Sequence, residues 1–491
     1  MKNVEDFYPL SPMQEGMLYH TIYAPGSGAY VGQVSFKLKN VDLDAYKRAW
    51  RTMLERHQVL RTIFLWKDVK TPVQVVRREV ELPCEQLDWR GLSPEEQKLE
   101  LRAYRARERA RGFDLTVAPL MRLAIMELDD AFHFVWSFHH LLLDGWSVSL
   151  LFSELSACYR AFAQGAEAPP LIPTRPYRDY IVWLHNQDAA AAEKFWRREL
   201  AGASVPTPVP ARISPGETPD VREKRQQIRL TAAELSALQG FARHHRVTVN
   251  TIAQGAWGLL LGYLAARPDV VFGVTVSGRP PGLEGVDSMI GMFINTQPVR
   301  TKMTPDDVLG SWLQSLQARQ VESRHYEYCS LTQIQSWCGV ARGARLYDSL
   351  FTFHNYPVER PPVGQGGGGP LAGRGPGDFR SESQVAYPLE MEVMPTLDAA
   401  VLTLRYDSER VEALVVERVL SGFAALLRGA AGLGDAATVG ELLEHLSADD
   451  RRRQELKEEV FEEAATKKLK GLKQGLRSRL RVSATGSQAE S

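Results

Sequence analysis

The sequence predicts a mixed α/β fold that consists of two comparable halves. Strand-like and helix-like patterns alternate along the first half, from residue 13 to residue 162. The same alternation returns in the second half, from residue 226 to residue 276. A proline-rich stretch, residues 168–176, lies between the halves and is typical of a loop. Two folded units joined by this loop are therefore expected.

Hydrophobic periodicity defines the elements of the first half. Apolar residues three or four positions apart predict helices, and alternating or β-branched apolar runs predict strands. The predicted helices are residues 13–22, 43–57, 93–111 and 148–162, and the predicted strands are residues 30–38, 60–66, 73–80, 120–127 and 132–138. Ser93 precedes Glu96 by the spacing of a capping box, and Ser147 is a candidate N-cap for the last helix.

The second half shows the same kinds of pattern. The predicted helices are residues 177–200, 232–244 and 248–264, and the predicted strands are residues 226–230 and 270–276. Residues 364–377 include eight glycines and are predicted to form a flexible loop. This loop does not match a phosphate-binding loop, because no lysine followed by serine or threonine comes after it.

Composition and charge argue against several classes of protein. The chain has 491 residues, of which 44% are hydrophobic and 24% are charged, as in ordinary soluble globular proteins. Its formal net charge is zero, which argues against binding to nucleic acid or to an anionic membrane. No apolar stretch approaches the length of a membrane-spanning helix, so no membrane span is expected.

The cysteines are typical of a reducing compartment. Cys84, Cys158, Cys329 and Cys338 are widely spaced, and no two of them form a CxxC pair. This distribution favours reduced thiols over a disulfide framework. The first ten residues also lack the apolar core of a signal peptide, so a cytoplasmic location is expected.

Residues 139–147, with the sequence HHLLLDGWS, are the most informative segment of the chain. They lie between a predicted strand and a predicted helix, and a histidine exchanges protons near neutral pH because its ordinary pKa is about 6.5. Successive side chains of a strand point to opposite faces, so His139 and His140 are not expected to face one ligand. This argues against a metal site and favours one histidine in a cavity and the other in a structural role. A buried histidine pair without catalytic role fits the spacing equally well.

Four further segments match a single family pattern in the same order. Residues 10–18 match its opening motif, and residues 56–64 match its RHxxLRTxF segment. Residues 177–183 resemble YxDYxxW, and residues 290–300 resemble IGxFxNTxxxR. Together with the complete HHxxxDG signature, they make the chain resemble the condensation domains of nonribosomal peptide synthetases over roughly residues 5–440.

The resemblance implies a fold and an activity. The fold would be an α/β pseudo-dimer of two chloramphenicol-acetyltransferase-like lobes, with an active-site tunnel between them. The lobes would comprise residues 1–175 and 176–446, with a crossing segment around Gly278 to Thr296 and a charged, flexible tail over residues 447–491. The activity would be amide formation, in which the amine of a carrier-bound aminoacyl group attacks a donor thioester on an upstream carrier protein.

The resemblance also implies roles for individual residues. His140 would be the catalytic histidine, acting either as a base or by orienting the amine, and Gly145 would donate its N–H to the oxyanion. His139 would be structural, and Asp144 would form an ion pair with Arg61. Candidates for the tunnel lining are Trp146, Ser147, Asn295 and Thr296. Core packing is the favoured alternative for Trp146, and a turn at a strand end is an equal alternative for Asn295 and Thr296.

No intrinsic cofactor and no metal are implied, because the substrates would arrive on phosphopantetheine arms of donor and acceptor carrier proteins. Neighbouring synthetase domains are further candidate partners, and the protein is expected to be a monomer that does not bind nucleic acid. The alternatives are a stand-alone acyltransferase that uses coenzyme A, an epimerisation-type relative, and a non-catalytic docking platform for carrier proteins. The chain would be either a free-standing enzyme or part of a larger synthetase.

The tail departs from the pattern of the two halves. Residues 466–481 carry seven lysines and arginines. Such a basic segment is compatible with a docking element, a linker or a membrane-surface helix. A solvated and partly disordered extension is the interpretation favoured by its composition.

Overall fold

The protein is represented by a computed structural model that describes residues 3–24, 28, 30–210, 223–341, 344–354, 387–396 and 399–455. The described strands form three sheets, two in an N-terminal lobe (the N-lobe) and one in a C-terminal lobe (the C-lobe). The glycine-rich segment predicted to be a loop, residues 364–377, lies outside the described residues.

The N-lobe elements build two sheets and a helical layer. One sheet has the strand order β2-β7-β6-β5, the other has the order β1-β4-β3, and α2 packs against α4. The core includes Trp50 and Trp136, whose ring centroids lie 5.1 Å apart. In chain order the elements are β1 (Val4–Pro9), α1 (Pro12–Tyr23), β2 (Val31–Leu38), α2 (Leu43–Arg56), β3 (Thr62–Leu65), β4 (Val73–Arg77), β5 (Cys84–Asp88), α3 (Pro94–Arg111), β6 (Met121–Glu127), β7 (Phe132–His139) and α4 (Gly145–Ala163).

The C-lobe contains one six-stranded sheet with the order β10-β9-β11-β12-β13-β8. Strand β11 runs parallel to both of its neighbours, and the remaining pairs are antiparallel. The elements are α5 (Tyr177–His185), α6 (Ala189–Glu199), β8 (Glu223–Leu230), α7 (Ala232–His244), α8 (Val249–Ala265), β9 (Asp269–Val276), β10 (Asn295–Lys302), α9 (Leu309–Ser323), α10 (Leu331–Trp337), β11 (Ser349–Phe353), β12 (Leu389–Pro395), β13 (Ala400–Asp407), α11 (Ala413–Gly432) and α12 (439–455).

Local sequence signals explain where several elements begin. Ser93 caps α3 by accepting from the Glu96 amide, and the Glu96 side chain reaches back to the Ser93 amide, so the predicted capping box is confirmed. The predicted helix over residues 177–200 is wrong as one element, because Asp188 caps a new helix with its carboxylate. The predicted strand over residues 60–66 begins later, at Thr62, because a short 3₁₀ helix (Gln58–Arg61) precedes it.

The segment between β9 and β10 leaves the C-lobe and packs into the N-lobe. Ile290 and Met292 belong to the N-lobe core, together with residues of β7 and α4. Among its neighbours, Tyr177 of α5 donates a hydrogen bond to the Met292 carbonyl. This segment is called the crossing segment below, and it ends at residue 294, directly before β10 begins at Asn295.

The predicted boundaries at residues 175 and 446 are not breaks between independent cores. Helix α5 contributes Tyr177 and Tyr180 to a cluster that also contains Tyr8 and Val76 of the N-lobe. Helix α12 runs through residue 446, and its Asp450 pairs with Arg418 of α11 at 2.6 Å. The rest of the predicted tail, residues 456–491, lies outside the described residues.

Two expectations from composition agree with the structure. All four cysteines are free thiols. None of the helices in the described part of the chain is long and apolar enough to cross a membrane.

Candidate active site

A tight turn, residues 139–145, joins the end of β7 to the start of α4, and it is called the β7–α4 turn below. Because β7 is paired with β2 on one side and β6 on the other, its end is held on both sides. The His140 amide donates to the Tyr30 carbonyl at 2.8 Å, and the His139 amide donates to the Leu120 carbonyl at 3.0 Å. The backbone under both histidines is thus fixed by the sheet.

His139 is enclosed within the N-lobe. Its Nδ1 accepts a hydrogen bond from the Leu141 amide at 3.1 Å, so the ring proton of the neutral form is on Nε2. Nε2 lies 3.4 Å from the Thr21 hydroxyl of α1. Burial, helped by the neighbouring His140, lowers the pKa of His139 to about 3, and the ring is neutral at physiological pH. These contacts hold the His139 ring in place within the N-lobe.

His140 has the opposite tautomer. Its Nδ1 lies 3.3 Å from the Leu143 carbonyl, which is an acceptor only, so Nδ1 carries the proton. The lone pair is then on Nε2, the nitrogen suited to accept a proton or a hydrogen bond. Burial lowers the pKa of His140, while the Leu143 carbonyl and the Asp144 charge oppose that shift. The ring is therefore neutral near pH 7.

Asp144 binds the crossing segment and not Arg61. Its carboxylate accepts from the Ser147 amide at 2.7 Å and from the Phe293 amide at 3.0 Å. Arg279 of the crossing segment places Nη2 3.6 Å from Asp144 Oδ1, and the side chains of both residues are almost fully buried. The predicted pair between Asp144 and Arg61 is wrong, because another arginine, brought over from the C-lobe, occupies that place.

Arg61 stabilises a different part of the N-lobe. Its guanidinium pairs with Glu5 at 2.5 Å and donates to the Leu54 carbonyl at 2.8 Å. It lines a cleft of about 260 Å³ together with His57 and Arg175, among others. Arg61 is buried and forms an ion pair, but its partner is Glu5 of β1 and not Asp144.

Ser147 connects the two lobes and does not cap α4. The N-cap is Asp144, because the helix begins at Gly145 and Asp144 accepts from the Ser147 amide. The Ser147 hydroxyl donates to the Gly291 carbonyl at 2.7 Å and accepts from the Gly291 amide at 3.0 Å. It also accepts from Arg279 at 2.9 Å. Ser147 is fully buried, so in the structure it is a contact between lobes.

Two further residues of this segment have distinct positions. Gly145 is the first residue of α4, so its amide belongs to the first helical turn, where N–H groups have no acceptor within the helix. Trp146 is half-buried and donates from Nε1 to the Asp287 carbonyl at 3.1 Å. The Arg279 guanidinium lies 5.5 Å from the Trp146 ring centroid. Trp146 therefore packs on the crossing segment and is not simple core filling.

Glycines allow the crossing segment to come this close. A Cβ at Gly291 would lie 2.1 Å from the Tyr177 ring, so only hydrogen fits there. Gly278 has a φ of +61°, and a Cβ at that position would overlap the Phe293 carbonyl. Gly278 precedes Arg279, which contacts Asp144 and Ser147, and Gly291 itself hydrogen-bonds Ser147, so both glycines set the approach of the two lobes.

Asn295 and Thr296 are the first residues of β10. Asn295 is buried, and its amide nitrogen donates to the carbonyls of Glu327 at 2.8 Å and Cys329 at 2.7 Å. Asn295 therefore holds a C-lobe loop. Thr296 is half-buried and pairs with Thr275 of β9 across the sheet. The turn alternative for both residues is wrong, because they begin a strand.

Two residues of this region were not singled out from the sequence. Arg279 lies in the Ser277-Gly278-Arg279-Pro280 stretch after β9, and an arginine beside a glycine in the predicted crossing segment was the available signal. Glu327 accepts a hydrogen bond from the Gly278 amide, and burial raises its pKa to about 7. No local pattern marks Glu327, because its burial depends on how the chain folds around it.

The structure shows one cluster of candidate metal ligands among the described residues, and it lies elsewhere. His244, His245 and Asp435 place their ligand atoms within 4.8 Å of one another, at the end of α7. The absence of a metal from the β7–α4 turn remains a prediction, based on the opposite directions of the two histidines.

Comparison with known proteins agrees with this geometry. The family model described as Condensation domain matches residues 4–445. One of the linear gramicidin synthase proteins of Brevibacillus parabrevis is 42% identical over 427 residues, which are 86% of this chain and 8% of that protein. Bacitracin synthase 3 of Bacillus licheniformis is 32% identical over 412 residues, which are 82% of this chain and 6% of that protein. The chain thus spans less than a tenth of these relatives.

Solved structures share the fold at low sequence identity. The starter condensation domain of rhizomide synthetase, in complex with C8-CoA, superposes with a TM-score of 0.71 at 18% identity, covering 88% of this chain and 96% of that chain. The first condensation domain of the calcium-dependent antibiotic synthetase gives a TM-score of 0.70 at 16% identity, covering 89% of this chain and 99% of that chain. The two-lobed α/β architecture predicted from the sequence is confirmed.

Proposed function

The chain belongs to the condensation domain family, and from that membership we propose that it forms an amide bond between two carrier-bound substrates. The donor is an acyl or peptidyl thioester on the phosphopantetheine arm of an upstream carrier protein. The acceptor is the amine of an aminoacyl thioester on a downstream carrier. The growing chain moves to the acceptor, and the donor thiol leaves with a proton.

The contact of His140 Nδ1 with the Leu143 carbonyl, at 3.3 Å, is the observation that carries this proposal. With the proton on Nδ1, held by the Leu143 carbonyl, Nε2 offers a lone pair to the attacking amine. An α-amine has a pKa of about 7.7 to 8.0, so a useful fraction is already neutral at cellular pH. Because burial lowers the pKa of His140, the ring is a weak base and orients the amine by accepting a hydrogen bond.

Positioning supplies most of the rate enhancement in this scheme. A thioester is already activated, and the alignment of two tethered reactants can lower the barrier by about 7–11 kcal/mol. The contacts of Asp144 and Ser147 with the crossing segment fix the β7–α4 turn relative to the C-lobe. The two lobes thereby hold one reactant against the other, and a tunnel between them would exclude water.

The amide of Gly145 would stabilise the oxyanion of the tetrahedral intermediate. It lies in the first turn of α4, where N–H groups point away from the helix and the helix dipole favours negative charge. Such a donor is worth about 10²–10³-fold in rate in other acyl transfers. No bound cofactor or metal is required, since both substrates arrive on phosphopantetheine arms.

Intact-protein mass spectrometry with two loaded carriers tests the proposal. The wild-type protein is expected to move the donor mass onto the acceptor carrier. The variant His140→Ala should lose this transfer while keeping its melting temperature. The variant His185→Ala removes an exposed histidine of α5 and serves as the matched control, with unchanged transfer.

Three other results would contradict the proposal. Turnover of a free coenzyme A thioester without carriers would identify a stand-alone acyltransferase. Inversion of the carrier-bound residue without a new amide would identify an epimerisation-type enzyme. Carrier binding without any product, unchanged in His140→Ala, would identify a docking platform.

A further inference from the structure

Two adjacent histidines and an aspartate meet at the end of α7. His244 is the last residue of this helix, and His245 is its C-cap. Nε2 of His244 lies 2.9 Å from Oδ1 of Asp435, and Nε2 of His245 lies 4.0 Å from the same oxygen. The ligand atoms of all three residues lie within 4.8 Å of one another. Asp435 belongs to the loop between α11 and α12, residues 433–438, called the α11–α12 loop below, so two distant segments of the chain converge here.

The ring of His245 is held in place by its surroundings. Its side chain is only 12% exposed, and it packs on Phe241 with the ring centroids 4.3 Å apart. On another side it meets the start of α9, where a Cβ added to Gly310 would lie 2.4 Å from Nδ1. Nδ1 therefore faces the backbone of α9, and Nε2 is the nitrogen directed at Asp435. An imidazole that is fixed before a ligand arrives loses little freedom when it binds.

The backbone of the α11–α12 loop is also fixed, because it is bound to the start of α9. The Leu309 amide donates to the Ala437 carbonyl at 2.8 Å. The side chains of His244 and Asp435, in contrast, are 61% and 76% exposed. The backbone on both sides of the cluster is thus preformed, while two of the three side chains have room to adjust to a ligand.

The three groups are ligands preferred by zinc and related transition metals. Imidazole nitrogen and carboxylate oxygen bind Zn²⁺ at about 2.0–2.2 Å, so neighbouring ligand atoms of a tetrahedral ion are about 3.4 Å apart. The separations of 2.9 Å and 4.0 Å lie on either side of that value, and small side-chain rotations bring the atoms to the required distance. The end of α7 adds a favourable field, because the helix dipole is negative at the C-terminus. Water can complete the fourth position.

We propose that His244, His245 and Asp435 bind a divalent transition-metal ion of the zinc class. The ion joins the end of α7 to the α11–α12 loop, which leads directly into α12. Its role is structural, because it holds the base of the last described helix against the rest of the C-lobe. The inference is independent of the proposed amide formation, since none of the three ligands belongs to the β7–α4 turn or to the crossing segment.

Zinc binding by the full chain without a polyhistidine tag tests the inference, because such a tag binds the same ions. The protein is dialysed against EDTA, freed of the chelator and titrated with zinc chloride in a calorimeter at neutral pH. The wild-type protein is expected to bind zinc and to melt at a higher temperature in its presence. His244→Ala and Asp435→Ala should each weaken binding by at least about tenfold and lose most of the gain in melting temperature. His325→Ala removes an exposed histidine just after α9 and, as the matched control, should behave as the wild type does.

The variant Asp435→His separates a metal site from a plain ion pair between His244 and the carboxylate. Such a pair needs opposite charges on the two side chains, and a third imidazole abolishes it. A zinc ion, in contrast, also accepts three histidines as ligands. Asp435→His is therefore expected to bind zinc and to gain melting temperature when zinc is added. If this variant loses binding as fully as Asp435→Ala does, the charge of the carboxylate governs the response, and the inference is overturned.

Three further outcomes would overturn the inference. The first is wild-type protein that binds no zinc at micromolar concentrations, and the second is alanine variants that bind zinc as tightly as the wild type. The third is an equal response to magnesium chloride, because Mg²⁺ prefers oxygen ligands and would reveal an unselective acidic surface. Zinc binding is measured without carrier proteins, so its failure leaves the proposed amide formation standing, and the reverse also holds.

Discussion

The partner of Asp144 can be identified by a double-mutant cycle. Asp144→Ala and Arg279→Met are each expected to destabilise the protein, because each leaves a buried charge without its counter-ion. The double variant should lose clearly less free energy of unfolding than the sum of the losses in the two single variants. The matched control cycle combines Asp144→Ala with Arg61→Met. In that cycle the losses in the free energy of unfolding should be additive. Asp144→Ala therefore damages folding as well as activity.

The structure gives the size of the expected effect. Charges 3.6 Å apart attract by about 5 kcal/mol at an effective dielectric constant near 20, and desolvation offsets part of that energy. After loss of Arg279, Asp144 still accepts from the amides of Ser147 and Phe293. Each single change should thus cost about 3 kcal/mol, at the lower end for a broken buried pair. The expected coupling energy is about 2 kcal/mol.

Urea unfolding at neutral pH, followed by tryptophan fluorescence, measures these free energies. The four proteins of each cycle are compared through their midpoints and a shared m value. Variants that change m are excluded, because the two-state treatment fails for them. The melting temperatures provide a second, independent order of stability.

The reasoning would be refuted by coupling in the other pair. A coupling energy near 2 kcal/mol between Asp144 and Arg61, with additivity within about 0.5 kcal/mol between Asp144 and Arg279, would place the ion pair where the sequence alone put it. Arg61 is a stringent control, because it is also buried and also pairs with a carboxylate, that of Glu5. The removal of a buried and paired arginine is therefore not sufficient by itself to produce coupling to Asp144.

Three further predictions concern the same site. Gly291→Ala should destabilise the protein by about 1–3 kcal/mol in urea unfolding, because the added Cβ would overlap Tyr177. The control Gly16→Ala should be neutral or stabilising, because no atom lies within 4 Å of the added Cβ. Ser147→Ala should cost about 2 kcal/mol by thermal unfolding, since it leaves the buried Gly291 amide without its partner, and an unchanged melting temperature would contradict this. The pKa of His139 is about 3 in the folded protein and about 6.5 in the unfolded chain. The neutral ring therefore contributes to the free energy of unfolding above pH 6.5, and this contribution is lost as the pH falls towards 3. Urea unfolding of His139→Asn between pH 6.5 and pH 3 should show a smaller loss of stability than that of the wild-type protein.

Local features of the fold could be predicted because they depend on neighbouring residues. The capping box of α3 and the strand before the β7–α4 turn are encoded in short stretches of sequence. The alternation along β7 also predicts that His139 and His140 point in opposite directions, and their tautomers follow from the resulting contacts. Such inferences need no knowledge of the other lobe.

The errors arose where several residues of the same chemical type compete for one role. Asp144 and Ser147 are both good N-cap residues, and the helix begins early enough to use the aspartate. The apolar rhythm of residues 177–200 continues across the break at Asp188, so periodicity alone does not show that two helices are present. In both cases propensity allows two answers, and tertiary packing selects one.

The choice between Arg61 and Arg279 shows why the remaining part of the site escapes sequence reasoning. Both arginines are buried, and either could neutralise a carboxylate. What distinguishes them is that Gly278 and Gly291 let the crossing segment approach Asp144, which places Arg279 and the Phe293 amide on the same carboxylate. The β7–α4 turn therefore acquires its final geometry only when the C-lobe is in place. It follows that a substitution which loosens the crossing segment should reduce the activity that depends on His140, even though His140 itself is unchanged.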